Sequence, residues 1–195
     1  MECDWEIEIT PDAPVIDAAW EGYVDLRSSP ERVARVGETA QLPILAEVLI
    51  RLNSASSPGW TSKCDVWPLE IFDPDELDAD RDTANSALGC YIDILSNGQI
   101  WSTLDAIASW CRRLCLDMRG RPLLNCRADI VVRRACLNRE SVGLGITAYL
   151  SACGPAPVEA AKALSDALIV LADSVLAVGA FDEDSSKYNG IIVGE

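Results

Sequence analysis

From Leu88 onward the chain repeats one pattern, in which an apolar strand segment is followed by a turn and a helix. LGCYIDIL at 88–95 and VGLGITAYLSAC at 142–153 both begin this pattern, about 55 residues apart. Apolar residues every second position predict strands, and spacing near 3.6 predicts amphipathic helices. A sheet and helices of this kind must bury their apolar faces against each other, which indicates an α+β domain.

The order of the predicted elements narrows the topology. NCRADIVVRRACL at 125–137 and VGLGITAYLSAC predict a hairpin between the two helices, which are predicted over 102–118 and 154–178. Gly179 is expected to end the second helix, and NGIIVG at 189–194 predicts a last strand. The order strand, helix, strand, strand, helix, strand resembles a ferredoxin-like (βαββαβ) domain, so we expect a two-layer sandwich of sheet and helices.

Residues 1–82 have a less regular pattern. CDWEIEI at 3–9 alternates apolar and acidic residues and predicts a half-buried strand, and WEGYVDL at 20–26 predicts a second. A helix is predicted over 41–52, followed by an extended aromatic stretch. We therefore expect an N-terminal ββαβ segment (1–82) and a ferredoxin-like domain (83–195), or one continuous domain.

The charge of the chain restricts its partners. With 31 acidic and 16 basic residues among 195, the formal net charge is −15, while 49% of the residues are hydrophobic. A strongly negative surface repels nucleic acid and anionic membranes and attracts basic partners. The first ten residues, MECDWEIEIT, lack the basic and apolar regions of a secretory signal. We therefore expect a cytoplasmic protein that binds neither nucleic acid nor membrane.

The sequence contains no histidine and eight scattered cysteines. The missing histidine excludes Ser-His and Cys-His dyads, histidine-ligated metals and phosphohistidine relays. An enzyme that uses carboxylates stays an alternative, but we expect a protein without catalytic residues and without a cofactor. Because the cysteines form no CxxC pattern, we expect free thiols that pack as small apolar side chains.

The segment DPDELDADRD at 73–82 is the densest run of charge, with six carboxylates and one arginine. An EF-hand loop needs glycine at position 6 and glutamate at position 12. Counted from Asp78, these positions hold Thr83 and Gly89, so we predict a solvated loop and no metal site. A weak cation site and a partner-binding patch stay as alternatives. The candidate partner-binding residues are Asp73, Asp75, Glu76, Asp78 and Asp80.

Eight arginines lie between residues 112 and 139, which is half of all basic residues in the chain. Only three acidic residues lie among them up to residue 140, so the local net charge is +5 (8 − 3). Arginine binds carboxylate and phosphate groups through paired hydrogen bonds. Either these arginines pair with the acidic N-terminal half, or Arg112, Arg113, Arg133 and Arg134 form an anion-binding patch.

Trp60, in the polar segment SSPGWTS, is expected at the surface as a further partner-binding residue. Together these features predict a non-enzymatic, acidic binding protein that engages a basic protein. Such a protein is similar in charge and size to toxin-neutralising immunity proteins and other inhibitors. The alternative is a regulatory α+β domain that binds a small anionic ligand through the arginine cluster.

Overall fold

The computed structural model describes residues 1–18, 20–97, 101–137 and 140–188, except for the side chains of residues 137, 140–142 and 180–188. The strands are β1 (Glu2–Ile7), β2 (Ile16–Asp17), β3 (Gly59–Pro68), β4 (Ser86–Ser96), β5 (Cys126–Leu137) and β6 (Glu140–Gly154). The α-helices of this part of the chain are α1 (Glu38–Gln41), α2 (Ile44–Leu52), α3 (Leu104–Arg119) and α4 (Pro157–Tyr188). Two short 3₁₀ helices span Pro30–Arg35 and Pro74–Leu77.

The strands form one mixed six-stranded sheet in the order β1-β5-β6-β4-β3, with β2 also paired to β5. β6 is antiparallel to both β4 and β5, and α3 connects these two strands. β3 forms one edge, antiparallel to β4, while β1 and β2 run parallel to β5 at the other edge. The predicted α+β class is confirmed. The ferredoxin-like order is not, because β3 occupies the edge beside β4 and the strand predicted at 189–194 lies outside the described residues.

Strands from both sides of residue 82 belong to this sheet. β3 precedes the acidic segment and β4 follows it, yet the two pair along most of their length. Their buried residues also join the same apolar core as those of α3 and α4. The sheet and the core therefore continue across the predicted boundary between 82 and 83.

The sheet face toward the helices, called the inner face, is apolar. Because strand residues alternate between faces, Cys90, Ile92 and Ile94 of β4 all lie on this side and are fully buried. They pack with a stripe of buried residues from the helices, among them Ile107, Trp110, Leu114, Leu164, Leu168 and Leu171. Burial of one such side chain contributes roughly 1.5–3 kcal/mol, so this interface stabilises the fold.

Two predicted helices differ from the structure in their boundaries. The helix predicted over 41–52 begins only at Ile44, as α2, and α1 ends at Gln41, because Leu42 before Pro43 is extended (φ −133°, ψ 90°). Proline disfavours helical geometry in the residue before it. The predicted end at Gly179 is wrong, because α4 continues to Tyr188. This glycine instead permits close packing, since a Cβ there would lie 2.7 Å from the Pro58 ring.

The strand predicted over 20–26 is also wrong. These residues form turns, and only Ile16–Asp17 pairs with the sheet nearby. Gly22 has a φ of +96°, a left-handed conformation that glycine adopts without strain and that interrupts an extended strand. Leu26 still packs into the core and is 3% exposed. The segment therefore lies as a loop against the core.

All eight cysteines are free, and six of them are buried. Burial raises the pKa of both Cys64 and Cys111 to about 12. These two thiols are therefore neutral at pH 7 and pack as small apolar groups. None of the helices in the part of the chain that the structure describes is long and apolar enough to span a bilayer.

Candidate binding face of the sheet

The sheet face away from the helices, called the outer face, carries polar and aromatic side chains. The strand register places Asp65, Tyr91, Tyr149, Asp129 and Asp4 in one row across five strands. Asp93, Thr147, Val131 and Glu6 form the next row. Apolar contacts around Trp60 cover one end of this face, and contacts around Leu77 cover the other. Between these ends lies the candidate binding site.

An aromatic stripe crosses the centre of the outer face. The ring centroids of Trp67 and Tyr91 lie 6.1 Å apart, and those of Tyr91 and Tyr149 lie 6.0 Å apart. Trp67 lies against Gly89, where a Cβ would come within 2.7 Å of the indole ring. Burial, together with the charges of Asp93 and Asp65, raises the pKa of Tyr91 to about 12. Tyr91 therefore keeps its phenolic proton at neutral pH.

A hydrogen-bonded network holds Arg133 beside this stripe. Its Nε and Nη2 atoms donate to Glu8 Oε2 at 3.0 and 2.7 Å. Its Nη1 donates to the Tyr149 hydroxyl at 2.9 Å and to Thr147 Oγ1 at 3.2 Å. Burial lowers the pKa of Arg133, but the hydrogen bonds to Tyr149 and Glu8 outweigh it and raise the pKa overall. The guanidinium is thus a fixed part of the face.

Asp93 continues the network into a recess. The Thr147 hydroxyl donates to Asp93 Oδ1 at 2.6 Å, while Oδ2 has no hydrogen bond within the described residues. Asp93 is 7% exposed. Burial raises its pKa overall, although the hydrogen bond from Thr147 and the charges of Arg133 and Lys63 lower it. The recess holds about 310 Å³ and is lined also by Tyr91 and Tyr149. Lys63 and Arg133 line the same recess, so its one carboxylate already lies near two cations.

Residues Asp73–Asp82, called the acidic loop, border this face at the end near Leu77. Asp73 accepts a hydrogen bond from the Asp75 backbone N–H at 3.1 Å. Arg81 forms ion pairs with Asp73 at 3.1 Å and with Asp75 at 2.5 Å. Leu77 is 4% exposed and packs with Ala87 and Cys153. The loop is therefore ordered by local contacts and held to the outer face by one leucine.

The five acidic candidates of this loop are all exposed: Asp73, Asp75, Glu76, Asp78 and Asp80. The charge of Glu76 also acts on Arg127 in the neighbouring strand β5. A hydrogen bond to Asp129 raises the pKa of Arg127, and the charges of Asp129, Asp4 and Glu76 add to this effect. Carboxylates from the loop, β1 and β5 therefore lie around the same part of the outer face. No group of three cysteine, aspartate or glutamate residues in the described ranges could hold a metal ion.

The expectation that Trp60 is exposed is wrong. Trp60 is 8% exposed and packs with Ile16 and Leu95 under β2. The Arg27 guanidinium lies 4.0 Å from its ring centroid, and Tyr23 lies 6.1 Å from it. The polar turn before Trp60 gives no sign that the ring is buried, because the residues that bury it come from distant segments of the chain.

The four candidate anion-binding arginines contact different parts of the chain. Arg112 lies 5.3 Å from the Trp5 ring, and Arg113 donates to Ser109 Oγ at 3.1 Å. Arg134 donates to the carbonyl oxygens of Thr10 and Pro11, whereas Arg133 contacts Glu8. Two more arginines of the cluster, Arg119 and Arg127, pair with Asp4. Much of the cluster therefore faces the acidic N-terminal strand and its continuation.

The sequence pattern does not single out Tyr91, Asp93 or Tyr149. One signal is available, because Asp93 interrupts the apolar segment YIDIL at a position that faces away from Ile92 and Ile94. Comparison of the chain with models of protein families, with curated proteins and with solved structures gives no match. The function therefore has to be inferred from the geometry of the outer face.

Proposed function

We propose that this chain is a non-enzymatic binding protein that engages a basic protein partner through the outer face and the acidic loop. The observation that carries this proposal is the aromatic stripe around buried Asp93, with exposed carboxylates on its borders. Tyrosine, tryptophan and arginine dominate the energetic centres of protein interfaces, and charged residues lie at their rims.

The centre of the face is already in a fixed arrangement. Arg133 is held by Glu8, Thr147 and Tyr149, and the two tyrosines pack against each other. Side chains that are ordered before binding lose less conformational entropy on association. The paired rings of Tyr91 and Tyr149 form a surface on which a lysine or arginine of the partner could lie.

The carboxylates at the borders of the outer face indicate that the partner is positively charged. Glu6, Asp65, Glu76, Asp78 and Asp80 form no ion pair within the described residues. Carboxylates that form no ion pair attract a basic surface at long range and pair with it on contact. An anionic ligand of the arginine cluster has less support, because Arg112, Arg133 and Arg134 contact different segments. A cytoplasmic location stays a prediction.

The test begins with affinity capture by the wild-type chain and by a Tyr91→Ser, Tyr149→Ser double variant. A specific partner is basic, is retained by the wild type and is lost by the variant. The association rate of that purified partner should then fall steeply with salt, because the Debye length shrinks from ~30 Å at 0.01 M to ~10 Å at 0.1 M. Neutralising Asp75, Glu76, Asp78 and Asp80 to Asn or Gln should slow association.

A charge-matched control separates steering by this loop from the effect of net charge. Glu31, Glu47, Asp105 and Glu159 all lie in the first turns of helices and not on the strands of the sheet. Neutralising these four should change the association rate much less. If both quadruple variants slow association equally, or if the captured partner is acidic, the proposed binding face is wrong.

A further inference from the structure

A second depression, separate from the aromatic stripe, lies where the loop 20–26 passes the edge strand β3. Residues of this loop, of the segment 35–38 and of β3 enclose about 180 Å³. One water molecule occupies about 30 Å³ in the liquid, so the cavity has room for roughly six water molecules. This is the size of a small organic molecule.

A little over half of the cavity wall is apolar. Val24, Leu26, Val36 and Leu49 contribute aliphatic side chains, and Trp20 contributes its ring. Leu26 and Leu49 are almost fully buried, at 3% and 2% exposure. The Cys64 thiol is part of the same wall and is neutral, because burial raises its pKa to about 12. The apolar body of a ligand would therefore be well accommodated.

Two cations line this apolar cavity, Arg35 and Lys63. A β-bulge between Thr61 and Cys64 breaks the regular pairing of β3 at Lys63, and bulges commonly redirect a side chain. The Lys63 ammonium lies 5.8 Å from the Trp20 ring centroid. Neither cation has an ion pair in the ranges that the structure describes. This is notable because the chain has 31 acidic and 16 basic residues.

The nearby acids offset these cations only in part. Glu38 is the one carboxylate among the cavity-lining residues, so the lining has two positive charges and one negative charge. Asp93 attracts Lys63 from the outer face, since the charge of Lys63 lowers the pKa of Asp93. A ligand carboxylate would provide the second negative charge and could form charge-assisted hydrogen bonds with both cations.

We propose that this cavity binds a small hydrophobic carboxylate. The ring or branched body of the ligand packs on Leu26, Val36 and Leu49, and its carboxylate lies between Arg35 and Lys63. The site differs from the proposed protein-binding face in Arg35, which lines this cavity and not the Asp93 recess, whereas Lys63 lines both.

Sodium benzoate, benzamide and benzylamine are suitable probes, since they share one ring and differ in charge. Titration is followed by the backbone amide NMR shifts of the wild-type chain. Benzoate should shift the amides of Gly22, Gly37 and Thr61 in a saturable manner, and benzamide should bind at least about tenfold more weakly because it lacks the charge. Benzylamine should not saturate these shifts.

Variants of two exposed arginines in the same 3₁₀ helix provide the matched comparison. Arg35→Gln should weaken benzoate about tenfold, whereas Arg32→Gln, whose side chain does not line the cavity, should change it less than about twofold. Glu38→Gln should strengthen binding. Any of three results would overturn the proposal. The first is equal affinity for benzoate and benzamide, and the second is an equal effect of both arginine variants. The third is the absence of saturable shifts in the cavity up to 10 mM benzoate (~10⁻² M, weaker than ordinary ligand affinities).

Discussion

Ile92 and Asp93 are neighbours in β4, yet they belong to two different surfaces. Ile92 is fully buried between the sheet and the helices. Asp93 is almost as buried, but its surroundings are Thr147, Arg133 and Lys63. One strand therefore has an apolar side that packs and a polar side that forms hydrogen bonds, because successive side chains point to opposite faces.

This difference separates stability from binding within the same strands. On the inner face, free energy comes from close packing and from removal of apolar surface from water. On the outer face, it comes from hydrogen bonds and ring contacts whose net contribution to stability is smaller. Changes on the inner face should therefore cost more stability, and changes on the outer face should mainly affect binding.

The largest expected effect is on the inner face. Ile92→Ala should lower the free energy of unfolding by about 2–5 kcal/mol, because it removes buried methyl groups and leaves a cavity. Tyr91→Ala, one residue away on the outer face, should cost about 1–2 kcal/mol through its two ring contacts. Urea denaturation of both variants measures this difference. Equal costs would mean that the outer face is packed like the core.

The fold class was predictable because periodicity reports which face of an element is buried. The hairpin β5–β6 and the helices α3 and α4 follow directly from local patterns in the sequence. The sheet order was not predictable in the same way. The parallel pairing of β1 with β5 joins residues more than 120 positions apart, for example Glu2 and Arg127, and no local signal specifies such a partner.

The second prediction compares two adjacent arginines of β5. Arg133→Gln should destabilise the chain by about 1–3 kcal/mol, because Glu8, Thr147 and Tyr149 lose a charged donor in a half-buried network. Arg134→Gln should change stability by less than about 0.5 kcal/mol, since its side chain is exposed and bonds only to two backbone carbonyls. Similar costs at both positions would contradict the assignment of Arg133 to a structural network.

The arginines show why the candidate site was only partly predictable. Composition shows that acidic and basic residues are unequally distributed along the chain, but not which of them meet. Arg119 and Arg127 lie more than 110 residues from Asp4 in sequence and contact it through the parallel edge strand. The acidic loop was predictable as exposed, because six carboxylates in ten residues cannot all be buried. The Asp93 recess depends on strand register and was not.

The third prediction uses the pH dependence of Asp93→Asn. Burial raises the folded-state pKa of Asp93 above its unfolded value. The folded chain therefore binds more protons between these two values, and its stability contribution is lost as pH rises through the folded pKa. Relative to the wild type, Asp93→Asn should gain stability as pH rises above about 4, with a slope below 1.36 kcal/mol per pH unit.

Urea denaturation at several pH values measures this slope. Asp65→Asn, on the same face but exposed, is the control for the general effect of removing one negative charge. A difference between Asp93→Asn and the wild type that stays constant with pH would show that folding does not raise the pKa of Asp93. A difference that favours the wild type as pH rises would show that Arg133 and Lys63 stabilise Asp93 as an anion.

The smallest expected effect on stability is in the acidic loop. Replacing Glu76, Asp78 and Asp80 by Gln or Asn should change the free energy of unfolding by less than about 0.5 kcal/mol, because these exposed carboxylates have no ion pairs within the described residues. The triple variant should be slightly more stable than the wild type at low salt, since the change reduces the net charge from −15 to −12 (three charges removed).

Leu77→Ala, which removes the contact with Ala87 and Cys153, is the positive control and should cost clearly more stability. A loss above about 1 kcal/mol in the triple variant would assign these carboxylates to the fold, and they would then not be free for a basic partner.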